Sequence, residues 1–511
     1  MSATSPSTGG NLADLVCAAA ERAAGKPALL FGELALSWAE LDQRVDRVAA
    51  GLQALGLQAG DRVAVQLGNT PDFPAAYFGV LRAGLVAVPV NTGYTRPELQ
   101  HVLGDSAARV LVTARAGAAT GLVLLADLDG LQHLVVAGAP AAPAGAITFE
   151  ELLTGGAERA ATTAGGEDLA VVLYTSGTSG RPKGAMLSHR ALLSNLDQCA
   201  RIDPPVVAED DVVLLVLPLF HIYGLNGALG MVARQAATGL LVERFDPVET
   251  LELVRRREVT NVVGAPPMYV AWSMLPDLED AFSCVRLAVS GAAPLPAAVL
   301  RRILDATGHH VFEGYGLTET APVLTSTLMS EVAKPDSIGR PIPGVELTLL
   351  DERGDPVEPG DPGEVVVRGA NLFTGYWPDG QGGPDADGWF ATGDVAVQDD
   401  DGDLHLVDRR RELVLVSGFN VYPREVEEVL AGHPDVEEAA VLGIAHPYTG
   451  ESVKAFVVLR DGARLAADDV IAYCAGSLAR FKCPTAIEFV TALPHTATGK
   501  VSKGRLRELG A

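Results

Sequence analysis

Along the first half of the chain, short apolar runs alternate with stretches of helical spacing. "RVAVQLG" (62–68) reads as a buried strand, "PDFPAAYFGVLRAG" (71–84) as a helix and "LVAVPVN" (85–91) as a second strand. That is a β-α-β unit, the element of a parallel sheet. The pattern returns at "LAVVLYTSG" (169–177), at "EVTNVVGAPPMY" (258–269) and at "VRLAVSGAAPLPAAVLRRIL" (285–304). In such sheets ligands sit beyond the carboxyl ends of the strands. The glycine-rich turns at 175–184, 264–267 and 290–294 all fall there. From about 338 to 377 the texture changes to short alternating runs broken by Gly, Pro and Asp, which predicts a small antiparallel or barrel-like unit. Around 400–412 a run of charges, "DDDGDLHLVDRRRE", precedes a new strand, "LVLVS". A domain boundary is expected there, followed by a small mixed α/β domain.

Composition narrows the class. At 511 residues the chain exceeds one hydrophobic core. A hydrophobic share of 48% with 20% charged residues is the balance of a globular protein. The formal charge of −25 argues against a nucleic-acid partner, which needs a broad basic surface. Cys17, Cys199, Cys284, Cys474 and Cys483 are scattered and form no C-x-x-C pair, so neither a disulfide framework nor a zinc site is expected. The N-terminus lacks the basic start and apolar run of a signal peptide, and no stretch approaches the ~18 apolar residues of a transmembrane segment. A cytoplasmic location is expected.

Five separated stretches carry candidate chemistry. "YTSGTSGRPKG" (174–184) gathers Thr175, Ser176, Gly177, Thr178, Ser179, Gly180 and Lys183, donors suited to phosphate; yet it does not match G-x-x-x-x-G-K-[ST]. A flexible connector and a nucleotide loop of another kind are both open at that point. "PLFHIYGLNG" (218–227) sets His221 among aromatics at an expected strand end. "SGAAPL" (290–295), with Gly291, Ala292 and Ala293, is small enough to be a slot wall. "FEGYGLTET" (312–320) joins Gly314, the aromatic Tyr315 and Gly316 to Thr318 and Glu319. "GWFATGD" (388–394) ends in Asp394, suited to a ribose diol or, beside phosphate, to a divalent cation. Near the end, "PHTATGKVSK" (494–503) places Lys500 on a loop. A lone histidine is more often a satisfied core residue, and the 409–411 arginines also fit a solvated face.

In these stretches, in their order and spacing, the sequence resembles the adenylate-forming acyl-CoA synthetases over nearly its whole length. "DRRRELVLVSGFNVYPREVEEVL" (408–430) is most similar to bacterial medium- and long-chain fatty-acid–CoA ligases. The resemblance implies an α/β N-terminal domain, 1–408, made of two parallel-type subdomains plus a distorted β-barrel. A mobile α+β lid, 409–511, would follow. It implies ATP, Mg²⁺ and coenzyme A. The 174–184 loop would close over phosphates, and Thr175 and Glu319 would position the metal. Adenine would lie between the Ser290–Ala293 turn and Tyr315, with Asp394 and Arg409 on the ribose. His221 would line the acyl entrance; Ile222, Gly224, Met268, Ala292 and Gly314 would form an apolar acyl wall. Lys500 would serve adenylation. A swing about Arg411 would then bring the Gly418 loop to the pantetheine.

The resemblance leaves rivals to weigh. Amino-acid-loading relatives carry an aspartate where His221 stands, and a malonate ligase would offer arginine where Val270 and Ala271 follow "GAPPMY". Relatives that load an acyl carrier protein are longer. A fatty acid is the expected substrate, with an aromatic or short-chain acid, or a carrier-loading role, as the alternative.

Overall fold

The computed structural model describes residues 9–155, 161, 163–176, 182–293, 295–351, 353–409, 414–421, 423–494, 501 and 506. The chain divides into two units. One comprises 1–92, 103–174 and 184–408; the other 93–102, 175–183 and 409–511.

The first unit is built on two parallel-type sheets. The expected unit at 62–91 forms as strand Arg62–Gln66, helix Asp72–Arg82 and strand Val86–Pro89, the two strands pairing in parallel. Around it the seven-stranded sheet runs Ile147–Thr148, His133–Ala137, Ala108–Ala114, Arg62–Gln66, Val86–Pro89, Leu169–Ser176, Pro182–Ser188. Residues 73–82 of the helix are all buried, so its apolar residues face neighbours on every side.

The second sheet has nine strands. Pro27–Phe31, Thr238–Leu241, Val212–Leu215, Asn261–Gly264, Leu287–Ser290 and Val311–Gly316 lie side by side in parallel. The inner strands Val212–Leu215, Asn261–Gly264 and Leu287–Ser290 centre on apolar residues because both faces are covered, whereas Val311–Gly316 alternates. Antiparallel strands flank them: Leu34–Ser37 at one edge, Val323–Ser326 and Arg340–Pro341 at the other. The parallel register brings the chain leaving residues 215, 264, 290 and 316 to one end of the sheet.

A four-stranded antiparallel sheet follows: Val345–Leu350, Gly363–Gly369, Trp389–Gln398 and Leu404–Arg409. This barrel-like layer runs past the expected limit at 377, because the strand carrying Asp394 completes it. The acidic run at its end is not a free charged face. Asp399 and Asp401 each lie 2.6 Å from Lys334 Nζ, and Asp403 lies 3.3 Å from it.

In the second unit, strands Phe419–Val421, Val414–Val416, Gly450–Leu459 and Val436–His446 form an antiparallel sheet, with Ala486–Phe489 added in parallel. Helices Pro423–Ala431 and Ala467–Ala475 accompany it, the former packing on strand Val436–His446. Lys482 is buried there, 2% exposed, with Glu425 at 2.8 Å and Glu98 at 3.2 Å. The Tyr94 ring lies 5.2 Å from the ammonium.

Candidate active site

The first unit gathers most of the candidate residues at the carboxyl end of the nine-stranded sheet. Strand Leu287–Ser290 feeds the turn Ser290–Leu295. Ala292 holds φ +72°, a left-handed conformation costly for any residue with a Cβ and characteristic of functional turns. Next to it, a Cβ on Gly291 would come within 2.9–3.2 Å of the Tyr223 ring, so only glycine lets the ring approach. Ser290 is 1% exposed, and its hydroxyl has no hydrogen-bond partner among the described residues.

Beside this turn, strand Val311–Gly316 alternates in burial, with 311, 313 and 315 on one face. The Tyr315 hydroxyl donates to Asp394 Oδ2 at 2.7 Å, joining two of the sequence candidates in a buried pair. Gly316 is obligatory, since a Cβ there would fall 1.7 Å from the Pro322 carbonyl oxygen. A Cβ on Gly314 would meet only the Thr325 carbonyl, at 3.3 Å. The chain then enters the short turn Thr318–Thr320. The buried Glu319 carboxylate accepts a short hydrogen bond from the Tyr376 hydroxyl through Oε1, and its other oxygen has no hydrogen bond among the described residues. The Glu319 carbonyl accepts from Phe373 N–H at 2.9 Å.

His221 stands six residues beyond the end of strand Val212–Leu215, not at a strand end. It lies two residues before a wide π-type turn, Tyr223–Gly230, a rare form that concentrates at functional sites. Burial lowers its pKa to about 4, so the ring is neutral at physiological pH. Asn226 ties the π-turn down, donating to the carbonyls of Leu192 and Ala321. Two residues of the expected acyl wall are tightly packed. Ile222 is 1% exposed and packed into the core, and a Cβ on Gly224 would fall 2.3 Å from the Pro218 carbonyl. The residue of this stretch that reaches Gly291 is Tyr223.

Candidates in the second unit are more scattered. Thr175 and Ser176 close strand Leu169–Ser176, and Lys183 is exposed at the start of Pro182–Ser188. Arg409 is the last residue of Leu404–Arg409. Ser417 and Gly418, at φ +52° and +83°, make the two-residue turn between Val414–Val416 and Phe419–Val421. Positive φ at both positions is what such a tight hairpin requires. Gly177, Thr178, Ser179, Gly180, Arg411 and Lys500 lie outside the described residues. Among the described residues no group of three or more His, Cys, Asp or Glu could hold a metal, and no helix is long and apolar enough to cross a membrane.

Three site residues were passed over in the sequence. Tyr223 was hidden beside the more conspicuous His221. Glu313 had a usable signal, its alternation with Tyr315. Tyr376 had none, because its partner Glu319 is 57 positions away.

Two parallel sheets, a small-residue turn beside a Tyr–Asp pair and a separate C-terminal unit define an adenylate-forming enzyme. Residues 17–377 match the AMP-binding enzyme family, and residues 425–500 match the AMP-binding enzyme C-terminal domain. The chain belongs to this family, the adenylate-forming acyl-CoA synthetase superfamily. It is 40% identical to a feruloyl-CoA synthase of Amycolatopsis sp, over 94% of this chain and 95% of the relative. It is 34% identical to a long-chain-fatty-acid–CoA ligase of Bacillus subtilis, over 97% and 94%. An amide bond synthetase from Marinactinospora thermotolerans superposes with a TM-score of 0.87 at 28% identity, covering 98% of this chain and 99% of that one.

Proposed function

We propose that the protein is an ATP-dependent acid–CoA ligase whose substrate is a fatty acid. The carboxylate attacks the α-phosphorus of ATP, giving acyl-AMP and pyrophosphate. The thiol of CoA then attacks the acyl carbon, giving the thioester and AMP. The observation that carries the reading is the hydrogen bond from Tyr315, on the strand next to the Ser290–Leu295 turn, to Asp394 on strand Trp389–Gln398. The pair offers a ring face for a purine and a carboxylate for the ribose hydroxyls.

The remaining roles are part of the proposal. The 174–184 loop holds the phosphates and Arg409 joins Asp394 at the ribose. Thr175 and Glu319 hold Mg²⁺. An oxygen-only donor set suits that ion, Tyr376 orients Glu319, and the second carboxylate oxygen is left to coordinate. The metal would neutralise phosphate charge. Lys500 stabilises the charge that builds during adenylation, a contribution of roughly 3–4 kcal/mol by analogy with single oxyanion donors. The segments 1–408 and 409–511 act as body and lid, with a swing at Arg411 that replaces Lys500 by the Gly418 turn. Neutral His221 lines the acyl entrance and carries no proton.

A specific observation favours a second reading, an aromatic acid. Tyr223 places its ring against Gly291, and its hydroxyl makes no hydrogen bond among the described residues. A phenol free to pair suits a hydroxylated aromatic ring, and a feruloyl-CoA synthase stands at 40% identity. One experiment tests both readings. Purified protein is given ATP, Mg²⁺ and CoA with a panel of acids: acetate, octanoate, palmitate, benzoate, ferulate and malonate. AMP and the CoA thioester are expected, with the highest kcat/KM on octanoate or palmitate. A preference for ferulate selects the second reading; ADP in place of AMP discards both.

A further inference from the structure

One buried acid at the nucleotide end of the sheet has no part in the roles above. Glu313 lies on strand Val311–Gly316, 7% exposed, on the same face as Tyr315. Its backbone is the register partner of Ser290, where the small-residue turn begins. Its side chain reaches the other end of the same turn, Oε1 accepting from the Leu295 N–H at 2.8 Å. One residue therefore grips both ends of a loop whose middle contains Ala292 at φ +72°. The strand position itself is pinned from behind, Glu313 N–H donating to Thr327 Oγ1 at 2.8 Å. A loop that holds a strained residue needs fixed ends, because relaxing the strain would spread them.

We propose that Glu313 is a positioning residue for the nucleotide: by clamping Leu295 to the strand that carries Tyr315, it sets the width of the slot in which the purine ring is held. The inference rests on the reading of that slot as the adenine site. It predicts that Glu313 acts on nucleotide affinity and leaves the acid and the chemical step alone.

The groups acting on the Glu313 carboxyl are few. Burial and the Asp336 carboxylate raise its pKa to about 7, while the Leu295 N–H works the other way. Its register partner Ser290 and the facing Ser326 and Thr327 are uncharged. An ionised carboxylate accepts more strongly than the acid form, so the clamp is firm at pH 8 and weaker at pH 6.

The test compares Glu313→Leu and Glu313→Gln with the wild type, using steady-state kinetics and calorimetric titration with AMP. For Glu313→Leu at pH 8, the KM for ATP and the Kd for AMP should rise roughly tenfold, the size of one hydrogen bond to a charged group. kcat at saturating ATP and the KM for the acid should stay within about twofold. Glu313→Gln keeps an acceptor oxygen, so it should recover most of the affinity. Its KM for ATP should not change between pH 6 and 8, whereas that of the wild type falls. Wild-type binding of AMP with an unchanged Glu313→Leu overturns this inference alone, as does an equal loss in the acid KM and kcat. A wild-type chain that neither binds AMP nor releases it from ATP overturns the reading of the site as well.

Discussion

Each unit of the molecule buries glutamate, and each deals with the charge differently. In the first, Glu313 faces one backbone N–H and no cation, and its carboxyl titrates near pH 7. In the second, Glu425 and Glu98 flank Lys482, all three nearly out of solvent. Only Glu425 is aligned for a hydrogen bond with the ammonium, at 2.8 Å; Glu98 Oε1 is at ion-pair distance without one. A buried carboxyl without a counter-ion takes up a proton, whereas one with a lysine keeps its charge. The first arrangement responds to pH near neutrality. In the second, Lys482 offsets part of the burial penalty at Glu425, so the larger response is to substitution.

The largest effect should come from removing the counter-ion. Lys482→Met keeps the length of the side chain and leaves two carboxylates buried without a partner. Breaking such a group from one side costs about 3–5 kcal/mol. Denaturant unfolding, followed by a probe in the C-terminal unit, should show a loss of that order at pH 7.5. A loss below about 1 kcal/mol would mean that Lys482 does not act as the counter-ion, and the contrast with Glu313 would collapse.

The next effect has the opposite sign. An unfolded glutamate titrates near 4.5, and Glu313 near 7 when folded. Between those values the folded chain binds the extra proton, so its stability falls as pH rises and the loss is complete above about 7. The ionised form is penalised by up to about 3 kcal/mol. Glu313→Gln removes the penalty. Its melting temperature should match the wild type at pH 5 and exceed it at pH 8. A constant difference at all pH values would show that Glu313 does not titrate in this range. The proposed nucleotide clamp uses the ionised form that the fold penalises, a stability cost of the kind functional sites carry.

The contrast also explains what could be read from the chain alone. The strands at 62–91, 169–176 and 261–290 were legible because buried parallel strands are continuous apolar runs, and this signal is local. Tyr315 and Asp394, which the structure joins, were each legible through ordered motifs. Pair partners were not. Nothing near Lys482 announces Glu98, which lies hundreds of positions away, and nothing in the 399–403 acidic run announces Lys334, which pairs with it. His221 drew attention as a titratable residue, yet burial makes it neutral, and its neighbour Tyr223 makes the contact with Gly291. Sequence periodicity reports which face is buried, not which groups meet across it.

The smallest expected effect is the sharpest test of the comparison. Burial also raises the Glu425 pKa, but Lys482 works against that shift at 2.8 Å, with His101 in the same sense and Glu98 in the opposite one. The triad holds two carboxylates for one ammonium, so one negative charge is in excess. Glu425→Gln removes that excess while keeping an oxygen for Lys482 to donate to, and Glu98 remains as counter-ion. Loss of the pair's attraction and relief of the excess charge oppose each other, so the net change at pH 7.5 should stay within about 1 kcal/mol. Both Glu425→Gln and Glu313→Gln should gain on the wild type as pH rises, because both carboxyls have raised values. The gain should be clearly smaller at Glu425, where the lysine already offsets much of the penalty. Parallel melts of the two variants from pH 5 to 8.5 measure the difference directly. Equal gains would mean that Lys482 does nothing for Glu425 beyond filling space.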